Sequence, residues 1–196
     1  GIDLAKLDMR SGLERCAYAI LIITTATMTG WVTAMAFKFQ PADFAAMELN
    51  TGLKILLRII ASFFGVYNFS LMFNSPKKMA LTAGLIGMFT NTLRLELIDF
   101  AGMPVGIAAF IGAFCTGCIA SVMEKKIGFP RISMTVPAIV IMVPGLYMYR
   151  GIYHMGLSDV SNGALWLTKA ILIVIALPMG LVAARLCTDK NFRHCT

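Results

Sequence analysis

The sequence predicts an all-α integral membrane protein, a polytopic bundle of about six transmembrane helices with one of them broken at a Pro-Gly step. Three observations carry this. Hydrophobic residues make up 58% of the 196 positions and charged residues only 14%, against about 45–50% and about 25% in soluble domains. Mean hydropathy is +0.78. The apolar residues also fall into runs long enough to cross a bilayer, which a single oversized core would not require.

The chain begins with Gly1, which predicts a processed or truncated amino terminus. The lead-in to Arg15 is polar and lacks the apolar stretch of a signal peptide, so no cleavable targeting segment is expected. A first span is predicted from Cys16 to Phe37, closed by Lys38 and Pro41, with only threonine hydroxyls interrupting it. A second runs from Ile55 to Phe73. Asn74-Ser75-Pro76 reads as a turn in which Ser75 caps the next helix and Pro76 opens it. The third span covers Met79 to Leu93, and the fourth Pro104 to Met123, followed by Glu124-Lys125-Lys126. The fifth, Ile132 to Tyr149, contains Pro137 and Pro144-Gly145. Asp159 to Gly163 forms a loop with helix-start chemistry. A sixth span, bent at Pro178, runs from Ala164 to Leu186 before a polar tail. In domain terms, residues 1–40 form a lead-in with the first helix, 41–190 a five-helix unit and 191–196 a tail.

Charge tests the count. Six crossings place eleven of the 17 basic residues on the side holding both termini, and six on the other. That bias predicts cytoplasmic termini, and the net charge of +7 then reflects basic loops at an anionic membrane surface rather than nucleic-acid binding. Small residues recur every fourth position in the fourth span, as Ala108/Gly112/Thr116/Ala120 and Ala109/Ala113/Gly117/Ser121. Ala80/Gly84, Ala83/Gly87 and Ala176/Gly180/Ala184 do the same elsewhere, predicting close helix contacts. Five cysteines make an odd set without a disulfide framework. Cys115-Thr116-Gly117-Cys118 lies mid-span with no second ligand pair, so it reads as packing, and no metal or cofactor is expected.

Ionisable residues near a span are candidates for function. Arg94, Glu96 and Asp99 follow Asn91 at the end of the third span. They either sit solvated at the outer interface or serve as ionic and coupling groups. Arg58 and Lys169 are placed to reach an interface. Pro144 removes a helical hydrogen bond and Gly145 adds backbone freedom, so the fifth span is expected to break there. A helix starting after the break would offer N–H donors to a carboxylate. Tyr147, Tyr149 and Tyr153 fit either an interfacial aromatic belt or a binding group. The substrate-binding candidates are Asn91, Pro137, Pro144, Gly145 and Tyr149. No mid-span nucleophile, metal cluster or carboxylate pair suggests an enzyme.

Val136-Pro137-Ala138-Ile139 with Val143-Pro144-Gly145-Leu146-Tyr147-Met148-Tyr149-Arg150-Gly151 resembles the signature of the threonine/serine exporter (ThrE-type) family. The Phe73–Pro76 turn, the small-residue fourth span and the basic loop ending at Arg131 are similar to it as well. The resemblance covers about residues 52–190, the carboxyl-terminal five-helix half. Ile2-Asp3-Leu4 and Ser11 to Arg15 resemble the lead-in to the last helix of the amino-terminal half. It implies secondary-active export of small hydrophilic metabolites, threonine and serine or dicarboxylates such as succinate, across the inner membrane. Protons are the implied coupling ion, since the chain has no phosphate-binding loop. It implies self-association or a partner carrying the missing half. A non-transporting scaffold or accessory subunit is the alternative.

Overall fold

The computed structural model describes residues 9–37 and 49–189. The lead-in before Met9, the closure at Lys38 and Pro41, the predicted boundary at residues 40 and 41, and the tail 191–196 lie outside them. The chain divides into two compact units, Gly1–Glu48 and Leu49–Thr196. Among the described residues there are seven helical segments and no strands: α1 Met9–Ala36, α2 Thr51–Met72, α3 Lys77–Asp99, α4 Val105–Ile127, α5 Arg131–Val140, α6 Gly145–Gly156 and α7 Val160–Thr188. Since α5 and α6 are successive halves of one 26-residue apolar length, the segments amount to six helices, four of them long and apolar enough to cross a membrane.

The amino-terminal unit contains α1, whose apolar stretch is Leu21–Ala36. Its hydroxyls fold back onto its own backbone: Thr25 donates to the Leu21 carbonyl at 2.8 Å, Thr27 to Ile23 at 2.6 Å, and Thr29 and Thr33 to Thr25 and Thr29 at 2.7 Å. Each polar group is thereby satisfied without water, which lets four threonines occupy an apolar helix.

In the second unit, α2, α4, the α5–α6 length and α7 are each long and apolar enough to cross a membrane. Helix α3 matches them in length, with 23 residues, but carries polar and charged side chains through its second half. It also runs six residues past Leu93, the predicted end of the third span. The physical reason is that Glu96 and Asp99 find partners on α2, Arg58 and Lys54, instead of terminating the helix. The turn before α3 differs from expectation too. Ser75 makes no capping bond, and α3 starts at Lys77 after Pro76. Asn74 takes a left-handed φ of 58°, its N–H reaches the Leu71 carbonyl, and the Ser75 N–H reaches Ser70. Ser75 is therefore consumed in closing α2 rather than opening α3. Asp159 does cap α7, accepting from the Asn162 N–H at 3.3 Å and its amide at 2.8 Å, bonds that hold its carboxyl below the usual carboxylate range. Val160 to Gly163, expected as loop, already belong to that helix.

Packing follows the small-residue stripes. The eight buried residues of α4 are the two predicted rows. Helix α4 lies along α7, where a Cβ placed on Gly180 would come within 2.5 Å of the Phe110 carbonyl and 2.9 Å of Ala113. One apolar cluster joins Val66 of α2, Met79, Ala83 and Ile86 of α3, Ala120 of α4, and Met134 and Ala138 of α5. A second joins Ala109 and Ala113 of α4, Met142 of the break, and Ile173 and Leu177 of α7. Outward faces are apolar as well: Leu81, Leu85, Phe89, Leu172, Ile175 and Met179 are exposed, the surface a helix presents to lipid. Length, composition and this exposed apolar face describe a multi-pass membrane protein.

Candidate functional site

The fifth span breaks where Pro144 and Gly145 predict. Helix α5 stops at Val140 and α6 starts at Gly145, because Pro144 has no N–H to continue the ladder. Two tight bonds, Met142 N–H to Ile139 at 2.9 Å and Val143 N–H to Val140 at 3.1 Å, close the first half. The Gly145 N–H is turned back onto the Val143 carbonyl at 2.9 Å. Pro144 is buried and Gly145 exposed, and nothing lies within 4 Å of where a Gly145 Cβ would be. Pro137 is fully buried inside α5 and fills core volume there.

Against this break lies a polar seam. Asn91 of α3 donates through Nδ2 to Ser62 Oγ of α2 at 2.9 Å, and its Oδ1 accepts from Arg94 Nε at 3.1 Å. Directly before Asn91, Thr90 donates to the Ile86 carbonyl at 3.0 Å. Thr116 of α4 shares its proton between Thr90 Oγ1 at 2.9 Å and the Gly112 carbonyl at 2.8 Å. Gly112 is the meeting point of α3, α4 and the break: a Cβ there would sit 3.2 Å from Arg94 Cβ and 3.3 Å from Met142 Sδ.

Arg94 is 91% buried, with relative exposure of 9%. Among the described residues it pairs with no carboxylate, and its one hydrogen bond runs through Nε. The groups in electrostatic reach of its guanidinium are the Tyr147 phenol and Arg58, a like charge. A cation held out of water in this way costs several kcal/mol unless something neutralises it.

Glu96 and Asp99 are engaged elsewhere. Arg58 of α2 donates from Nη1 to Glu96 at 2.9 Å and from Nη2 to Asp99, and Lys54 Nζ reaches Asp99 at 2.6 Å. Two cations thus meet two carboxylates near the end of the α2–α3 hairpin. The second Glu96 oxygen is buried with no hydrogen-bond partner among the described residues.

The structure therefore brings Asn91 and Arg94 together, sets Glu96 and Asp99 in a separate ion cluster, and puts Pro144 and Gly145 at the break. Tyr149 is 51% exposed and stacks on Tyr153 at 6.3 Å. It is Tyr147 that packs against the cluster holding Met142, at the break. Sequence reasoning missed Ser62, Lys54, Thr90 and Thr116 as polar partners. The available signal was the short Phe73–Pro76 turn: it folds α2 and α3 into an antiparallel hairpin, which brings the early residues of α2 to the late ones of α3, as Ser62 meets Asn91 and Arg58 meets Glu96.

No solved structure matches the chain. An uncharacterized protein of Haemophilus influenzae is 30% identical over 118 residues, 55% of this chain, and the chain spans 38% of that relative's length. The family model described as "Threonine/Serine exporter, ThrE" matches residues 58–187, a stretch that holds the break, the polar seam and Arg58 with Glu96 and Asp99. The chain belongs to the threonine/serine exporter family.

Proposed function

We propose that this protein exports threonine/serine-type amino acids or small dicarboxylates across the cell membrane by alternating access around the α5–α6 break, as a carrier with no catalytic step. The break carries the reading. Backbone freed from the helical ladder at membrane depth is tolerated where it is enclosed by protein or lines a wet cavity. Transporters use such half-helix ends to hold solutes near the midplane. Here α6 begins at Gly145 with open space over its first residue and the Asn91–Arg94 seam close by. The basic bias supports cytoplasmic termini in an inner membrane.

Protons are the proposed coupling ion, with Glu96 as carrier, because one of its oxygens is buried with no partner among the described residues. A proton there would weaken the Arg58–Glu96 pair and free α3 to shift against α2. Counterflow of labelled threonine, serine and succinate in proteoliposomes tests the site. Gly145→Leu, which fills the open space at the break, and Asn91→Ala, which cuts the Ser62–Asn91–Arg94 chain, should each slow exchange at least about tenfold, equivalent to 1.4 kcal/mol. Wild-type rates in both would refute this assignment.

The relative's greater length favours a second reading, that these helices work only when completed by a partner or a further segment. Extraction in mild detergent followed by native mass measurement separates the two. A stable self-assembly active in counterflow supports the carrier acting alone. A species that becomes stable only with the completing half supports the second.

A further inference from the structure

We infer that Arg94 receives the carboxylate of the transported solute, so that the protein selects solutes by that group. This rests on the exporter reading above and names the chemistry of its site.

The argument begins with what Arg94 lacks. Its side chain is nine-tenths buried, yet its Nε donates to a neutral amide oxygen and no carboxylate among the described residues pairs with it. The two carboxylates on the same helix, Glu96 and Asp99, are held by Arg58 and Lys54. A guanidinium presents five N–H donors in a planar fork that fits a carboxylate with two parallel bonds. With Nε taken by Asn91, the two terminal nitrogens remain for an incoming group.

Its surroundings point the same way. Arg94 stands five residues inside the end of α3, roughly 8 Å along the axis from Asp99. It packs against Gly112, where a Cβ would come within 3.2 Å of Arg94 Cβ and 3.3 Å of Met142 Sδ, so this close contact sets Arg94 beside the break. Tyr147, on the first turn of α6, packs against the apolar cluster that holds Met142. A buried cation, a phenol and the beginning of α6 thus converge where the fifth span is interrupted. Asn91, fixed by Ser62, orients the guanidinium and is a positioning residue.

The test uses the full-length protein in proteoliposomes, with labelled L-threonine and succinate as probes and 1-aminopropan-2-ol, threonine without its carboxyl group, as competitor. Unlabelled threonine should compete at least about tenfold better than the decarboxylated analogue. Arg94→Gln should abolish that preference together with acid transport, and Arg94→Lys, which keeps the charge but not the fork, should restore part of both. Asn91→Asp is the second variant, chosen to keep the fold: Ser62 can donate to the new carboxylate, which lies against Arg94 and neutralises it in advance. It should reduce acid exchange at least about tenfold while eluting as a monodisperse species. Equal competition by both analogues, or unchanged acid transport in Arg94→Gln and Asn91→Asp, overturns the inference and leaves the exporter reading standing. A wild-type protein that moves none of the probes overturns both.

Discussion

Arg58 and Arg94 are the same residue type on two helices of one hairpin, and they have been given opposite surroundings. Arg58 meets Glu96 and Asp99, and Lys54 shares the second of these. Charges in this cluster balance, and its members stay partly exposed, with side-chain exposures from 18% to 46%. Arg94 is more deeply buried than any of them and finds an amide where a carboxylate would be expected. Stability alone would pair the deeper charge first, because desolvation grows with burial. Leaving Arg94 open is the cost that the proposed carboxylate site would carry, while the Arg58 cluster ties α2 to α3.

That contrast can be broken most directly by removing each arginine in turn and following thermal unfolding in detergent. Arg58→Ala should lower stability by about 2 kcal/mol, because Glu96 and Asp99 would then share a partly buried site with Lys54 alone. Arg94→Gln should leave unfolding unchanged or move it upward, since it deletes a buried charge with no counter-charge and keeps a side chain able to bond Asn91. A loss of stability in Arg94→Gln as large as that in Arg58→Ala would mean that both arginines are structural. The next effect in size is at Ser62. Ser62→Ala strands the Asn91 amide, now bonded at 2.9 Å, and should cost about 1–2 kcal/mol. It should also slow transport, because Arg94 loses the residue that fixes its orienting partner.

How far the sequence discloses this arrangement depends on the range of the interaction. The paired rows of α4 are legible because small residues at a spacing of four fall on one helix face, and all eight are buried. The break is legible because proline removes a donor whatever surrounds it. The far end of α3 is not legible by hydropathy. Arg94, Glu96 and Asp99 resemble a helix leaving the membrane, and only Arg58 and Lys54, some forty residues earlier, explain why the helix continues. Ser75 misleads for a similar reason: its position before a proline suits a cap, but the left-handed Asn74 commits it to α2. The openness of Arg94 is the least accessible feature. It is a statement about partners that are absent from three helices at once, and no local pattern encodes it.

The smallest expected effect sharpens the comparison at its outer edge. Asp99 is exposed at 33% and shared between Arg58 and Lys54, whose side chain is 46% exposed, while Glu96 is exposed at 19%. Pairs reached by solvent contribute little and are screened, with a Debye length of about 10 Å at 0.1 M salt and about 3 Å at 1 M. Asp99→Asn should therefore lower stability by about 0.5 kcal/mol in dilute buffer, and the difference from wild type should vanish in molar salt. Glu96→Gln changes a more enclosed pair, so its effect should persist under the same salt. If both losses disappear together, the cluster is a surface network throughout and Arg58 is no better sheltered than Lys54. If only the Asp99 loss disappears, charge burial deepens along α3 from Asp99 through Glu96 to Arg94, and Arg94, which no carboxylate among the described residues pairs, is the farthest of the three from salt.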